Sequence, residues 1–191
     1  MLKKAVFLDK DGTLVENVPY NVDPRKIRLA KGVADGLHRL KAAGYELIVI
    51  SNQSGVALGY FKEEALEPVE RRLRQIIAET GSSLDGFYYC PHHPDAMVNR
   101  YRENCFCRKP RPGLIFKAAR EHAIDLSRSW MVGDILNDIE AGRRAECATI
   151  LIDNGNETVW HMNPYRLPDY KASDFSDAAR FILEANGTRM S

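Results

Sequence analysis

Short apolar runs alternate with longer stretches in which apolar residues recur every three or four positions. "KAVFLD" (4–9), "YELIVIS" (45–51), "GFYYC" (86–90), "SWMVGD" (129–134) and "ATILID" (148–153) read as strands. Several are too continuously apolar for a sheet with one face in water. Between them, residues 33–43 place Val33, Leu37 and Leu40 on one helical face and stop at Gly44. Residues 62–80 do the same with Leu66, Val69, Leu73, Ile76 and Ile77, ending at Gly81. Further helices are predicted over 113–123, 138–146 and 174–185. Such alternation predicts a doubly wound, mostly parallel α/β sheet with helices on both faces. Ligands of these sheets bind outside the carboxyl ends of the strands, where Asp9, Ser51 and Asp134 all fall. Two stretches break the rhythm and read as long loops, 91–112 and 154–170. The second, with Trp160, His161 and Tyr165, is expected to pack as a lid over the sheet edge, with a border to the substrate or an oligomer contact as the alternatives.

Length and charge narrow this picture. At 191 residues the chain suits one domain, 1–191. With 27 basic and 26 acidic residues, the net charge of +1 offers no broad field for nucleic acid, so an anionic ligand needs a local cluster. The first apolar run is four residues long and stops at Asp9, giving no signal peptide and no membrane span. A cytoplasmic, monomeric protein is expected.

Asp9 and Asp11 then pose a problem, because like charges repel and burial of a carboxylate is costly. On extended backbone, side chains two apart point the same way, so both can face one site. One reading makes Asp11-Gly12 a simple turn. The other places a divalent cation beside the pair, with one carboxylate attacking phosphorus and the other moving a proton. That chemistry also needs hydroxyl and amide donors, positive charge and further acidic ligands. "ISNQSG" offers Ser51, Asn52 and Gln53; "CRKPRPG" offers Arg108 and Lys109; "MVGDILND" offers Asp134 and Asp138.

Three of the four cysteines, Cys90, Cys105 and Cys107, crowd into eighteen residues beside His92 and His93. Three thiolates and one imidazole form a closed tetrahedral zinc set, structural rather than catalytic. The spacing alone leaves His92 and His93 as alternatives. A zinc there would rigidify a polar loop and hold the cationic pair Arg108 and Lys109, which follows Cys107 directly. Cys147 reads as a small apolar residue near the last core strand.

"DKDGT", "SNQSG", "RKPRPG" and "VGDILND", in this order, resemble the four motifs of the haloacid dehalogenase (HAD) superfamily of phosphatases. The resemblance runs from residue 5 to about 152. It implies that Asp9 is the nucleophile and Asp11 the general acid and base. Mg²⁺ would be held by the Asp9 carboxylate, the Asp11 carbonyl and Asp134. Ser51 and the Asn52 backbone amide would hold phosphate oxygens, Lys109 would neutralise charge on the attacking and phosphoryl oxygens, and Gln53 and Arg108 would join them in binding substrate. Asp138 is a supporting carboxylate or a helix first-turn residue favoured by the dipole. The cysteine loop is similar to that of two branches, the heptose bisphosphate 7-phosphatases and the histidinol-phosphate phosphatases, and favours His92 as the fourth zinc ligand. The absence of a fused histidine-pathway domain favours the first branch. A non-catalytic zinc-bearing binding protein would require a broken motif, and none is broken. The intervals 14–44 and 56–104 leave no room for a cap domain. The loop 16–24 is expected to contact a small sugar phosphate through Asn17 and Tyr20, with a buried, loop-anchoring role the alternative for Tyr20. Glu146 and Cys147 stand where relatives often have glycine after an alanine, a change expected to affect only a turn.

Overall fold

A computed structural model describes residues 2–188. Six parallel strands form one sheet in the order β3-β2-β1-β4-β5-β6. They are β1 (Lys4–Leu8), β2 (Tyr45–Asn52), β3 (Gly86–Cys90), β4 (Trp130–Gly133), β5 (Ala148–Ile152) and β6 (Tyr170–Ala172). The helices are α1 (Val33–Ala42), α2 (Ser54–Ala57), α3 (Leu66–Ala78), α4 (Gly113–His122), α5 (Leu136–Arg144) and α6 (Phe175–Thr188).

Residues alternate between two cores on opposite faces of the sheet, as period-two side chains must. Val6 and Leu8 of β1 pack with Leu37, Leu73 and Ile182, from α1, α3 and α6. Ala5 and Phe7 pack with Ile115 and Ala118 of α4 and Ala141 of α5. Both faces of β1 and β2 are therefore dry, which explains their unbroken apolar sequence. β1 pairs with β2 on one side and β4 on the other, so the strand order reverses between β1 and β4. The crevice at such a reversal opens at the carboxyl ends of these strands.

The five predicted strands are present. β6 starts at the last residue of the segment read as loop and was not predicted, because its three residues bury only Ala172 and carry no periodic signal. The helix placed at 62–80 begins as a 3₁₀ turn at Glu63–Ala65. The helix placed at 138–146 runs instead from Leu136 to Arg144, its first turn held by the Asp138 carboxylate accepting from Ile135 N–H. By Glu146 the chain has left the helix with φ +62°, the left-handed region that favours glycine, so the change expected there is confined to the turn into β5. No separate module interrupts β1–β2 or β2–β3. No helix of the described residues is long and apolar enough to cross a membrane.

Candidate active site and cysteine cluster

Asp9 leaves the end of β1 with its backbone N–H still bonded to Val132 of β4, at 3.0 Å. Asp134 follows β4 directly, and Asp138 lies one turn into α5. One carboxylate oxygen from each of Asp9, Asp134 and Asp138 lies within 4.8 Å of the other two, and all three side chains are buried. Lys109, 2% exposed, reaches them from the segment that follows Cys107. Its Nζ is 2.5 Å from Asp9 Oδ1 and 2.6 Å from Asp138 Oδ1, and it donates to the Ile50 carbonyl at 2.7 Å. Asp138 is therefore both a helix first-turn carboxylate and a partner of Lys109.

Three buried carboxylates against one ammonium leave an excess of negative charge. Burial, and then the charges of Asp138, Asp134 and Asp11, push the Asp9 carboxyl well above its ordinary range, with Lys109 opposing. Burial and Asp138 raise Asp134 to about 6, against hydrogen bonds from Asn156 and Thr13 that favour its charged form. Burial alone would lower the Lys109 ammonium, but Asp138 and Asp9 outweigh it and hold the group above the usual lysine range. An oxygen-rich, net negative pocket of this kind suits a hard divalent cation.

The chain does not stay extended from Asp9 to Asp11. It turns, with Leu14 and Val15 N–H both donating to the Lys10 carbonyl and Gly12 N–H to Val15. Gly12 has φ +85°, and an added Cβ there would lie 2.0 Å from Asp134 Oδ2, so position 12 tolerates no side chain. Both Asp9 and Asp11 line one open cavity of about 370 Å³. The Asp11 carboxylate is not one of the three that converge. It is paired with Lys10 and accepts from Gln53 Nε2 at 3.2 Å.

Asn17, Tyr20, Asn52, Gln53 and Lys109 line the same cavity. Tyr20 is 53% exposed, with its ring edge-on to Tyr60 at 4.6 Å, so it is not the buried anchor of its loop. Ser51 and Arg108 are not among the residues that line this cavity. Ser51 is 1% exposed and its hydroxyl accepts from Gln53 Nε2 at 2.8 Å. The Arg108 guanidinium is taken by Ser54 Oγ at 2.8 Å and the His92 carbonyl at 3.2 Å. Asn52 spends its side chain on the Lys109 backbone, donating to its carbonyl and accepting from its N–H, both at 3.0 Å.

The sequence reading gave no role to Asn154 or Asn156, in the segment after β5. Asn154 donates to the Gly12 carbonyl at 2.8 Å, and Asn156 to Asp134 Oδ2 at 2.7 Å. These residues border the site rather than forming a lid away from it. Their position at the carboxyl end of a core strand was the available signal.

Cys90, His92, Cys105 and Cys107 bring one donor atom each within 4.8 Å of one another. The Sγ of Cys90 is 3.3 Å from that of Cys105 and 3.1 Å from that of Cys107. His92 Nδ1 lies 3.4 Å from Cys107 Sγ, while its Nε2 faces Glu103 at 3.7 Å. His93 is turned away and accepts from Asp95 N–H. None of the cysteines is in a disulfide. Burial raises the Cys105 thiol, and a hydrogen bond to Cys90 raises Cys107, so a metal entering this set displaces protons. Three soft sulfur donors and one imidazole fit zinc.

Comparison with known proteins agrees with this geometry. The HAD-hydrolase-like family matches residues 106–178. The D-glycero-beta-D-manno-heptose-1,7-bisphosphate 7-phosphatase of Photorhabdus laumondii is 41% identical over 152 residues, spanning 79% of this chain and 81% of that one. The enzyme of the same name from Escherichia coli K12 is 40% identical over 152 residues, spanning 79% and 80%. A crystal structure of D,D-heptose 1.7-bisphosphate phosphatase from B. bronchiseptica, complexed with magnesium and phosphate, matches with a TM-score of 0.80. Its identity is 29%, over 95% of this chain and 99% of that one. The fold and the motifs make this chain a HAD-like phosphoric monoester hydrolase. Within that superfamily it belongs to the family of the heptose-1,7-bisphosphate 7-phosphatases.

Proposed function

We propose that this chain removes the C7 phosphate of D-glycero-D-manno-heptose 1,7-bisphosphate, through an aspartyl-phosphate on Asp9, in the supply of activated heptose for lipopolysaccharide or other surface glycans. One observation carries the reading. Asp9, at the floor of a cavity open to solvent, is held 2.5 Å from a buried lysine and shares a 4.8 Å cluster with Asp134. A buried carboxylate aimed into a cavity with a cation behind it is an activated nucleophile.

Asp9 and Asp134, with the carbonyl of Asp11, would hold Mg²⁺, which would offset their repulsion and stabilise charge on the phosphoryl oxygens. Asp9 attacks phosphorus as the bond to the C7 oxygen breaks, and Asp11 gives its proton to that oxygen. Asp11 then takes a proton from a water that attacks the phosphoryl-aspartate, releasing phosphate and restoring Asp9. Lys109 holds Asp9 in place and balances charge throughout, and Gln53 tethers Asp11 within reach of the cavity. Asn17 and Tyr20, on the loop over the cavity, are placed to meet the sugar.

Cys90, His92, Cys105 and Cys107 would hold a structural Zn²⁺. The loop it closes ends at Arg108 and Lys109, and the Asn52 clamp on the Lys109 backbone continues that support into β2. The zinc set thus sits on the covalent path that delivers the essential ammonium.

The test is a comparison of kcat/KM for both anomers of the heptose 1,7-bisphosphate and for histidinol phosphate. A preference of at least about a hundredfold for the heptose, ~2.7 kcal/mol of transition-state binding, is expected. The β anomer, named in the relatives, is expected to lead. A preference for histidinol phosphate would overturn the substrate assignment.

A further inference from the structure

The segment after β5 has no part in the steps just described, yet its side chains reach three pieces of the site. Besides the bond from Asn154 to Gly12, Glu157 Oε2 accepts from Leu136 N–H at 2.7 Å and so holds the start of α5. Asn156 reaches furthest. Its Nδ2 donates to Asp134 Oδ2 at 2.7 Å, and its Oδ1 accepts from Asn17 Nδ2 at 3.4 Å. Its backbone N–H is held by Asn154 Oδ1 at 3.2 Å, across a turn that Gly155 makes at φ +85°.

The two neighbouring carboxylates are treated differently. Asp138 faces the Lys109 ammonium at 2.6 Å and is charge-compensated. Asp134 receives only neutral donors, Thr13 Oγ1 at 3.2 Å on Oδ1 and Asn156 on Oδ2. Among the described residues no lysine or arginine lies within ion-pair distance of it. Neutral donors fix the plane of a carboxylate while leaving its charge available, which is what a metal ligand requires of its outer partners. An amide also suits the position because its two ends differ. The NH₂ faces a carboxylate and the carbonyl faces an amide, whereas an aspartate at 156 would oppose Asp134 charge to charge.

We propose that Asn156 is a positioning residue that orients Asp134 toward the divalent cation and ties it to Asn17 on the sugar-side loop. The inference rests on the magnesium reading of Asp134. One amide then couples metal affinity to the placement of the loop that meets substrate.

The test uses the full chain with zinc retained and Mn²⁺ as the probe, its binding read by electron paramagnetic resonance, alongside Mg²⁺ activation of turnover. Loss of an outer hydrogen bond to a metal ligand costs about ten- to a hundredfold in affinity. Asn156→Ala is expected to weaken Mn²⁺ binding by at least about tenfold on that basis. It should raise the Mg²⁺ concentration for half-activation in parallel, with the unfolding midpoint of the magnesium-free protein unmoved. Gly155→Ala, which strains the turn and keeps the amide, should give a smaller loss in the same direction. Asn17→Ala, which cuts only the loop end of the link, should raise KM and weaken Mn²⁺ binding by less than Asn156→Ala does. Wild-type Mn²⁺ affinity in Asn156→Ala would overturn this proposal alone. Failure of the wild-type protein itself to bind Mn²⁺ would remove the magnesium reading and this proposal with it.

Discussion

The carboxylate cluster and the thiol cluster each gather ligating side chains, and they are assembled in opposite ways. Asp9, Asp134, Asp138 and Lys109 come from three separate parts of the chain, with Asp9 and Lys109 a hundred positions apart. Only the parallel sheet, with β1 beside β4, brings them together. Cys90, His92, Cys105 and Cys107 come from one run of eighteen residues that starts at the last residue of β3. The first cluster carries its own countercharge in a lysine that is 2% exposed. The second has no cation among its four donors, and burial and mutual hydrogen bonding raise the Cys105 and Cys107 thiols. The sheet-built cluster therefore owes its geometry to the global fold, whereas the loop-built cluster would be locked by a bound metal. Arg108 and Lys109 connect the two.

Lys109→Met breaks the comparison on the carboxylate side and should have the largest effect. It strands Asp9 and Asp138 without their shared partner. Loss of one member of a buried ion pair costs roughly 3–5 kcal/mol, so a fall of that order in chemical-denaturation stability is expected. Turnover should fall by at least about a thousandfold, as for removal of a member of a concerted catalytic set. A variant that keeps both stability and turnover would show that the cluster does not depend on its lysine.

A smaller effect is expected on the thiol side. Purified protein should carry about one zinc per chain, the capacity of one closed four-ligand set. Removing it with a chelator should make Cys90, Cys105 and Cys107 reactive to a thiol reagent while the far-ultraviolet dichroism of the sheet and helices persists. Activity should drop through the displaced Lys109, by less than in Lys109→Met. Unreactive cysteines after complete zinc removal would contradict a loop ordered by metal.

The same contrast explains what was legible in the sequence. Strands β1, β2, β4 and β5 were visible because both their faces are buried, which forces long apolar runs, and the half-buried edge strand β3 was visible from its aromatic run. The thiol set was visible because all its members are near neighbours in the chain. β6 was not, since three residues with one buried side chain carry no period. The four residues of α2 were too few for a helical pattern. The pairing of Asp138 with Lys109 spans two loops and was invisible without the strand order. Asn154 and Asn156 read as ordinary loop residues, because their role comes from β5 lying beside β4 at the mouth of the sheet. Ser51 and Arg108 carried the right chemistry in the right motifs. Their partners, Gln53 for one and Ser54 for the other, were not legible from the motifs.

The central claim is that phosphorus is bonded to Asp9 during turnover. The direct measurement is rapid acid quenching of the enzyme with its heptose bisphosphate, borohydride reduction and peptide mapping by mass spectrometry. Reduction of an aspartyl-phosphate yields homoserine, so the account predicts homoserine at position 9 and at no other aspartate, dependent on substrate and absent in Asp9→Asn. Full turnover with position 9 unchanged, or with the label on Asp11, Asp134 or Asp138, would contradict it.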